Sequence, residues 1–196
     1  MENKIDLPNT RIITVSGRIA SGSTTLARKI SERLGWKHME GGEIFWENVR
    51  GKLKLSPKDT NLRPDTEDQL FDDSLKKILK EDKDIVLETK LAGYFAKDIK
   101  DVFKILVLCD DADGTDQTQI RIDRLVNREQ MSMLEAKTEV LEREKNDVEK
   151  WRRLYAKNDL EWNYWNDEYY DIVINSFFHD PEESLNMAIE AIGVKR

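Results

Sequence analysis

The sequence is short of the residues that would suit an extracellular or membrane-embedded chain. It contains one cysteine in 196 residues, Cys109, so no disulfide can form within the chain. No apolar run approaches the roughly 20 residues that span a bilayer. The polar start at residues 1–4 does not have the pattern of a secretion signal. We therefore expect a soluble, cytoplasmic protein without membrane contact.

Positive charge is also in deficit, with 32 Lys and Arg against 39 Asp and Glu and a net charge of −7. A protein that binds a nucleic-acid polymer needs a basic face to meet the phosphates. A small nucleotide needs only a local cluster of donors. The charge balance thus argues against a nucleic-acid polymer as partner and leaves small phosphorylated ligands open.

What the chain does contain is an alternation of short apolar runs and amphipathic stretches. Buried strands are predicted from short runs of apolar and β-branched residues at 11–16, 84–88, 103–109 and 170–175. Helical spacing predicts helices at 24–34, 43–52, 65–80, 117–126, 132–155 and about 181–192, while prolines mark 56–64 as a loop. Alternating strands and helices predict a mostly parallel sheet with helices on both faces, in one domain over residues 1–196.

Between the first predicted strand and helix, residues 17–24 read G-R-I-A-S-G-S-T, which fits the pattern G-x-x-x-x-G-x-S/T. We call these residues the phosphate loop. In such loops, backbone N–H groups and the positive end of the helix surround phosphates, and the last residue holds Mg²⁺. The predicted phosphate-binding residues are Gly17, Arg18, Ala20, Ser21, Gly22, Ser23, Thr24 and Thr25, with Thr24 also as the metal ligand.

The phosphate loop lacks the lysine that normally stands before its final Ser or Thr, because Ser23 occupies that position. The lysine contacts the β- and γ-phosphates and offsets charge during transfer. Removing one preorganised group of this kind costs on the order of 10²–10³ in rate. Arg18 or Lys90 could supply the cation from elsewhere. Taken alone, the pattern fits either an anion-binding loop or an ordinary strand-to-helix turn rich in small residues.

Segments downstream of the loop resemble the archaeal-type cytidylate kinases. They keep that family's order and roughly its spacing between residues 11 and 192. The matching segments are 35–45 (G-W-K-H-M-E-G-G-E-I-F), 87–93 (L-E-T-K-L-A-G, family L-E-G-R-L-A-G), 120–129 (containing R-x-x-R-x-x-x-R-E), 143–144 (R-E), Tyr155 and 170–176 (Y-D-I-V-I-N-S).

The resemblance implies an α/β P-loop NTPase fold of the nucleoside monophosphate kinase type. Such a fold has a mostly parallel five-stranded sheet flanked by helices and a helical lid, here roughly at residues 127–150. The implied reaction transfers the γ-phosphoryl group of ATP to CMP or dCMP with Mg²⁺. The implied partners are nucleotide substrates, and a monomer is expected.

Three arginines on one predicted helix face are candidate phosphate ligands. Arg121, Arg124 and Arg128 are spaced i, i+3 and i+7, and arginine suits multidentate phosphate contacts. The resemblance assigns Arg121 to the ATP phosphates and Arg124 and Arg128 to catalysis at a mobile lid. The alternative is a solvated helix face paired with nearby acids such as Asp123 and Glu129.

The acceptor nucleotide is expected to contact Gly42, Glu43, Lys90 and Arg143. Gly42 lets backbone come close to a ligand, and Glu43 opens a predicted helix, where a negative charge is favourable in any case. Lys90 replaces a family arginine, so it keeps the charge and loses the planar fork. The resemblance gives it a catalytic role as well, and the alternative is a surface lysine at a strand end.

Other departures from the family leave the activity open. Val148 stands where the family tends to carry another arginine, and the helix at 65–80 lacks the family's arginines. The connection at 158–169 is longer and carries two of the three tryptophans Trp151, Trp162 and Trp165, which either stack on a base or, as we expect, pack the C-terminal helices. Three functions remain: a working kinase, a nucleotide-binding pseudo-kinase with little turnover, and a kinase of another small acceptor.

Overall fold

A computed structural model describes residues 4–42, 44 and 65–194 of the chain. Its five strands are β1 (Ile12–Gly17), β2 (Lys37–Glu40), β3 (Ile85–Glu88), β4 (Val102–Leu108) and β5 (Ile172–Asn175). They form one sheet in the order β2-β3-β1-β4-β5, and every neighbouring pair is parallel. The predicted five-stranded parallel sheet is therefore confirmed. The predicted helix 43–52 apart from Ile44, the predicted loop 56–64 and Glu43 lie outside the described residues.

The α-helices that surround the sheet are α1 (Ser23–Leu34), α2 (Asp65–Glu81), α3 (Ala92–Ala96), α4 (Thr118–Glu129), α5 (Met133–Lys137), α6 (Glu144–Tyr155) and α7 (Pro181–Ile192). A π-helical stretch, Thr138–Arg143, joins α5 to α6, and a 3₁₀ turn covers Asp167–Tyr169. The helix predicted at 132–155 is thus continuous from Met133 to Tyr155, and its middle section is π-helical. Within the described part of the chain, no helix has the length and apolarity needed to cross a bilayer.

Apolar side chains cover both faces of the central strand β1. One cluster packs Ile13 and Val15 against α1 and α7, and another packs Ile12 against α2 and α3. Because all strands are parallel, their carboxyl ends meet at one edge of the sheet, where open α/β sheets bind ligands. The phosphate loop leaves β1 at this edge, and β3 ends beside it with Glu88.

Candidate active site

The phosphate loop has the local geometry that an anion-binding turn requires. Gly22 is the N-cap of α1 at φ 109°, a left-handed conformation that side chains with a Cβ rarely adopt. A Cβ on Gly17 would lie 2.9 Å from the Val107 carbonyl oxygen, so the loop leaves β1 where only glycine fits. No side chain caps the N-terminus of α1, and its first turn holds no acidic residue. The first backbone N–H groups of α1 are therefore available to phosphate oxygens.

Ser23, at the lysine position, faces the end of the neighbouring strand. Its Oγ donates a hydrogen bond of 2.9 Å to the carboxylate of Glu88, which also interacts with Thr24. Burial raises the pKa of Glu88 to about 7, although the Ser23 hydrogen bond acts in the opposite direction. Sequence analysis did not select Glu88. Its place at the carboxyl end of a strand beside β1 is the signal that could have identified it.

Arg18 is directed towards two carboxylates, Glu144 at the start of α6 and Asp116 just before α4. Its Nε lies 2.9 Å from Glu144, its Nη1 lies 3.2 Å from Asp116, and its guanidinium lies 4.6 Å from the ring centre of Trp165. Glu144 also accepts a 3.1 Å hydrogen bond from the backbone N–H of Ile19. The lid helix α6 is thus fixed to the phosphate loop at its first residue.

Arg121 completes the same cluster from α4 and is fully buried. It donates to Glu144 at 3.0 Å, to Asp116 at 2.8 Å and to the Ile19 carbonyl at 2.8 Å. Burial opposes ionisation of Asp116, but hydrogen bonds from Arg121 and Thr118 outweigh it and lower the pKa of that carboxyl. We call Arg18, Asp116, Arg121 and Glu144 the loop–lid cluster. Within this cluster Arg121 contacts Asp116 and Glu144. The sequence had suggested Asp123 and Glu129 as its acidic partners.

Arg124 is bonded to the loop itself. Its guanidinium donates to the carbonyl oxygens of Ala20 at 3.2 Å and Ser21 at 3.1 Å, and to that of Ser176 at 2.9 Å. It therefore ties the phosphate loop to the chain after β5. Arg128, by contrast, has a half-exposed side chain that contacts Glu129 at 2.9 Å, which is the pairing expected of a solvated helix face.

A cavity of about 800 Å³ opens on the Arg124 side of the loop, and we call it the Arg124 cavity. Gly22, Thr25 and Arg128 also line it. The aromatic pair Phe177 and Phe178 lines the same cavity, with ring centres 4.9 Å apart. Apolar walls beside a phosphate loop suit the base and sugar of a nucleotide.

A second cavity, of about 210 Å³, lies on the β3 side and is called here the Lys90 cavity. It brings together four of the predicted residues, Thr24, Gly42, Lys90 and Arg143. Lys90 Nζ lies 2.7 Å from Asp147, and Arg143 Nη1 lies 2.6 Å from Glu139. Arg18 is not among the described residues that line this cavity. The end of the phosphate loop, the glycine backbone at Gly42 and three cationic side chains, Lys90, Arg143 and Lys150, thus line one cavity. Carboxylates such as Asp72 and Asp147 line it as well.

The connection at 158–169 packs against the phosphate loop. Tyr164 is fully buried, and its hydroxyl lies 3.4 Å from the carbonyl oxygen of Gly17. Trp162 joins Leu91 and Val148 in an apolar cluster. The expectation that the tryptophans pack the fold is confirmed for Trp162. Trp151 packs against the same cluster but also lines the Lys90 cavity.

Comparison with known proteins identifies the family of this chain. A family model described as an AAA domain matches residues 16–154. The cytidylate kinase of Haloarcula marismortui is 30% identical over 92% of this chain and 88% of its own length. The cytidylate kinase of Archaeoglobus fulgidus is 26% identical over 94% of this chain and 96% of its own length.

Solved structures agree on the fold. A shikimate kinase from Bacteroides thetaiotaomicron superposes with a TM-score of 0.59 at 15% identity, covering 94% of this chain and 99% of its own. A gluconokinase from Sinorhizobium meliloti gives a TM-score of 0.55 at 14% identity, covering 96% of this chain and 93% of its own. At this identity the likeness concerns the fold alone. The sequence relatives, with the phosphate loop and the sheet order, place this chain in the AAA-domain family of P-loop proteins and, within it, among the cytidylate kinases.

Proposed function

We propose that this protein transfers the γ-phosphoryl group of ATP to a nucleoside monophosphate, with CMP or dCMP as the acceptor. The observation that carries the proposal is the convergence of Thr24, Lys90 and Arg143 on one cavity beside the phosphate loop. Phosphoryl transfer requires mainly positioning and positive charge around the migrating group, with little covalent work by the protein. The membership among kinases supports the same reaction.

ATP fits with its phosphates on the phosphate loop and its adenosine in the Arg124 cavity. The uncapped N-terminus of α1 receives the phosphates, and Arg124 holds the loop carbonyls away from them. The acceptor then occupies the Lys90 cavity on the other side of the loop, with Gly42 beside it. Its phosphate would meet Lys90 and Arg143. Arg128 stands on α4 at the beginning of the predicted lid, where closure would bring it to the phosphates.

Mg²⁺ fits the oxygen atoms at the start of α1. Thr24 and the Glu88 carboxylate supply hard oxygen donors there, which is the ligand type that Mg²⁺ prefers. Among residues 4–42, 44 and 65–194, no group of three His, Cys, Asp or Glu side chains forms a metal cage. This agrees with an ion held by one or two protein groups and by substrate phosphates. When bound, the ion neutralises charge on those phosphates.

Lys90 is the residue we propose as the substitute for the missing loop lysine. It lines the same cavity as Thr24, whereas Arg18 is bound to Glu144, Asp116 and Trp165. Releasing Arg18 would remove one of the two cations, Arg18 and Arg121, that offset the charges of Asp116 and the buried Glu144, which is costly. Lys90 is held by one carboxylate, Asp147, and its side chain is about one-fifth exposed.

A coupled assay of ATP turnover with CMP, dCMP, UMP and AMP tests the proposal. We expect turnover that depends on the acceptor and is fastest with CMP or dCMP. Absence of turnover with every acceptor at high enzyme concentration would contradict it. Nucleotide binding without turnover would identify the second candidate, a pseudo-kinase.

The pseudo-kinase is favoured by one observation, the hydroxyl of Ser23 at the lysine position. The variant Ser23→Lys separates the two functions. If Lys90 already supplies the cation, the new lysine pairs with Glu88 and changes kcat by less than about threefold. A rise in kcat of roughly 10²-fold, which is the effect of restoring one preorganised group, would show that the wild-type site lacks a substitute for the lysine.

A further inference from the structure

Asp72 is a buried carboxylate at the Lys90 cavity that the phosphate chemistry does not use. It lies on α2, its residue surface is 4% exposed, and it lines the cavity. Its Oδ2 accepts a hydrogen bond from the hydroxyl of Tyr155. Among the described residues, Tyr155 is its hydrogen-bond partner, so Oδ1 keeps its capacity to accept from a ligand.

The cations near Asp72 are engaged with other carboxylates. Lys76 pairs with Asp73 at 3.0 Å, and Lys150 pairs with Asp68, which is one turn earlier on α2. Burial raises the pKa of Asp72 to about 6, against the effect of the Tyr155 hydrogen bond. Among the described residues Asp72 forms no ion pair, although the nearby charge of Lys76 favours its ionised form. Burying a carboxyl group without a paired cation costs free energy, and a ligand that donates a hydrogen bond to it would lower that cost.

A negative acceptor oxygen is the wrong group for a phosphate and the right one for an amine. Cytosine presents its 4-amino group as a donor, and carboxylates accept from this amine in base recognition. Uracil presents the O4 oxygen at the same place, where two acceptors would face each other without a proton. A carboxylate in the acceptor cavity therefore separates cytosine from uracil by attraction to one and repulsion from the other.

We propose that Asp72 recognises the 4-amino group of a cytosine base in the Lys90 cavity and so sets the preference for CMP over UMP. The inference rests on the proposed function, because it takes that cavity as the acceptor site. Lys90 and Arg143 bind the acceptor phosphate, and Asp72 binds the base. Tyr155 is a positioning residue, since its hydroxyl fixes one carboxylate oxygen and leaves the other to the ligand.

The variant Asp72→Asn tests the proposal with little change of volume. The Tyr155 hydroxyl can donate to the new amide carbonyl, which turns the amide N–H₂ toward the base and so toward O4 of uracil. We expect the ratio of kcat/KM for CMP to that for UMP to fall roughly 10- to 100-fold, the range of one good base contact. Asp73→Asn is the matched control, because Asp73 is next in sequence and its side chain is 70% exposed.

A ratio that stays within about twofold of wild type in Asp72→Asn, or that falls equally in Asp73→Asn, overturns the proposal. Tyr155→Phe gives a second measurement on a folded chain. There the ratio should fall several-fold while the KM for ATP is unchanged, and an unchanged ratio in both Tyr155→Phe and Asp72→Asn counts against any role of this pair in specificity.

Calorimetry with CMP and UMP separates this inference from the proposed function, because it needs no turnover. A wild-type protein that shows no turnover but binds CMP more tightly than UMP, with the difference lost in Asp72→Asn, contradicts the kinase proposal and supports the role of Asp72. A wild-type protein that turns over CMP and UMP equally supports the kinase and overturns the role of Asp72. Binding of neither nucleotide overturns both.

Discussion

Ser23 and Lys90 are the two residues that bear on how the proposed site replaces the positive charge of the missing loop lysine. A lysine at position 23 would present an ammonium group to the phosphates, but the serine hydroxyl donates to Glu88. Lys90, two residues after β3, is one of the cations that line the cavity next to Thr24. Under the proposed function, Lys90 supplies from the acceptor side the charge that the loop lysine normally carries.

Lys90→Met should lower kcat by on the order of 100-fold, because it removes a preorganised positive group from the place where phosphate charge develops. Steady-state kinetics with ATP and CMP measures this effect. Lys100→Met is the control, since Lys100 is exposed and distant in sequence from the loop. Equal kcat in both variants would show that Lys90 does not act on the transferred group.

Glu88→Gln should flatten the dependence of stability on pH. The pKa of Glu88 is raised from 4.5 to about 7 by burial, so between those values the folded protein binds more protons than the unfolded chain. The free energy of unfolding of wild type therefore falls as pH rises through this window. Relative to wild type, Glu88→Gln should gain on the order of 2 kcal/mol between about pH 5 and pH 8.

Urea unfolding of the two proteins at both pH values checks the expectation. Glu81→Gln is the control, because the Glu81 side chain is 63% exposed on α2. Parallel profiles for wild type and Glu88→Gln would show that the carboxyl is ionised in the folded state across the whole window. The contribution of Asp72, whose pKa is also raised, cancels in the comparison.

The secondary structure elements were largely predictable, since most carry their own signal. The buried run of β1 and the capped helix α7, for example, lie within one or two residues of their predicted bounds. β2 escaped pattern reading because Lys37–Glu40 is an edge strand with a polar, partly exposed sequence. The resemblance implied a fifth strand, but it did not assign residues to it.

The partners of the site residues were not predictable from local pattern. The loop pattern identifies Arg18, but Glu144 lies 126 residues further along the chain. Spacing placed Arg121 and Arg124 on one helix face, and it cannot show that one contacts buried carboxylates while the other contacts loop carbonyls. Such contacts depend on how α4 and α6 cross the loop, which is a property of the packed fold.

Trp165→Ala tests the connection at 158–169 as an element that supports the loop. The variant loses the contact between the Trp165 ring and the Arg18 guanidinium, which should lower the free energy of unfolding by about 0.5–2 kcal/mol. It should also weaken ATP binding several-fold, because Arg18 shares Glu144 with the loop backbone at Ile19. Calorimetry and urea unfolding measure the two effects.

The matched variant is Leu160→Ala, since Leu160 lies in the same connection and is 74% exposed. Leu160→Ala should change neither the stability nor the affinity for ATP. A Trp165→Ala protein with lower stability and unchanged ATP affinity would restrict the connection to a packing role.

At the scale of the whole molecule, the phosphate loop separates two cavities that different elements build. The C-terminal segment around Phe177 and Phe178 lines one, and α2 with α6 lines the other. The loop–lid cluster fixes the start of α6 to the loop between them. Occupation of either cavity should therefore stabilise the fold as a unit.

ATP with Mg²⁺ at about 100 times its Kd should raise the free energy of unfolding by about 2.7 kcal/mol, the value that mass action gives for a ligand of the folded state. Thermal unfolding with and without nucleotide measures the gain. Arg124→Ala should reduce it, because the loop loses its tie to Ser176. For the monomer that we propose, Tm should not change with protein concentration, whereas a rise would indicate an oligomer.

The π-helical stretch Thr138–Arg143 sets a limit on how this protein can change in evolution. Its last residue, Arg143, lines the Lys90 cavity, and the next residue, Glu144 at the start of α6, accepts a hydrogen bond from the phosphate loop. Each residue of an α-helix advances the rotation by about 100°, so one deletion in this stretch would turn both side chains away from their targets together. Exposed side chains such as Leu141 can be exchanged freely. The exposed positions of this stretch can therefore vary in composition, whereas its buried Val140 and its length cannot.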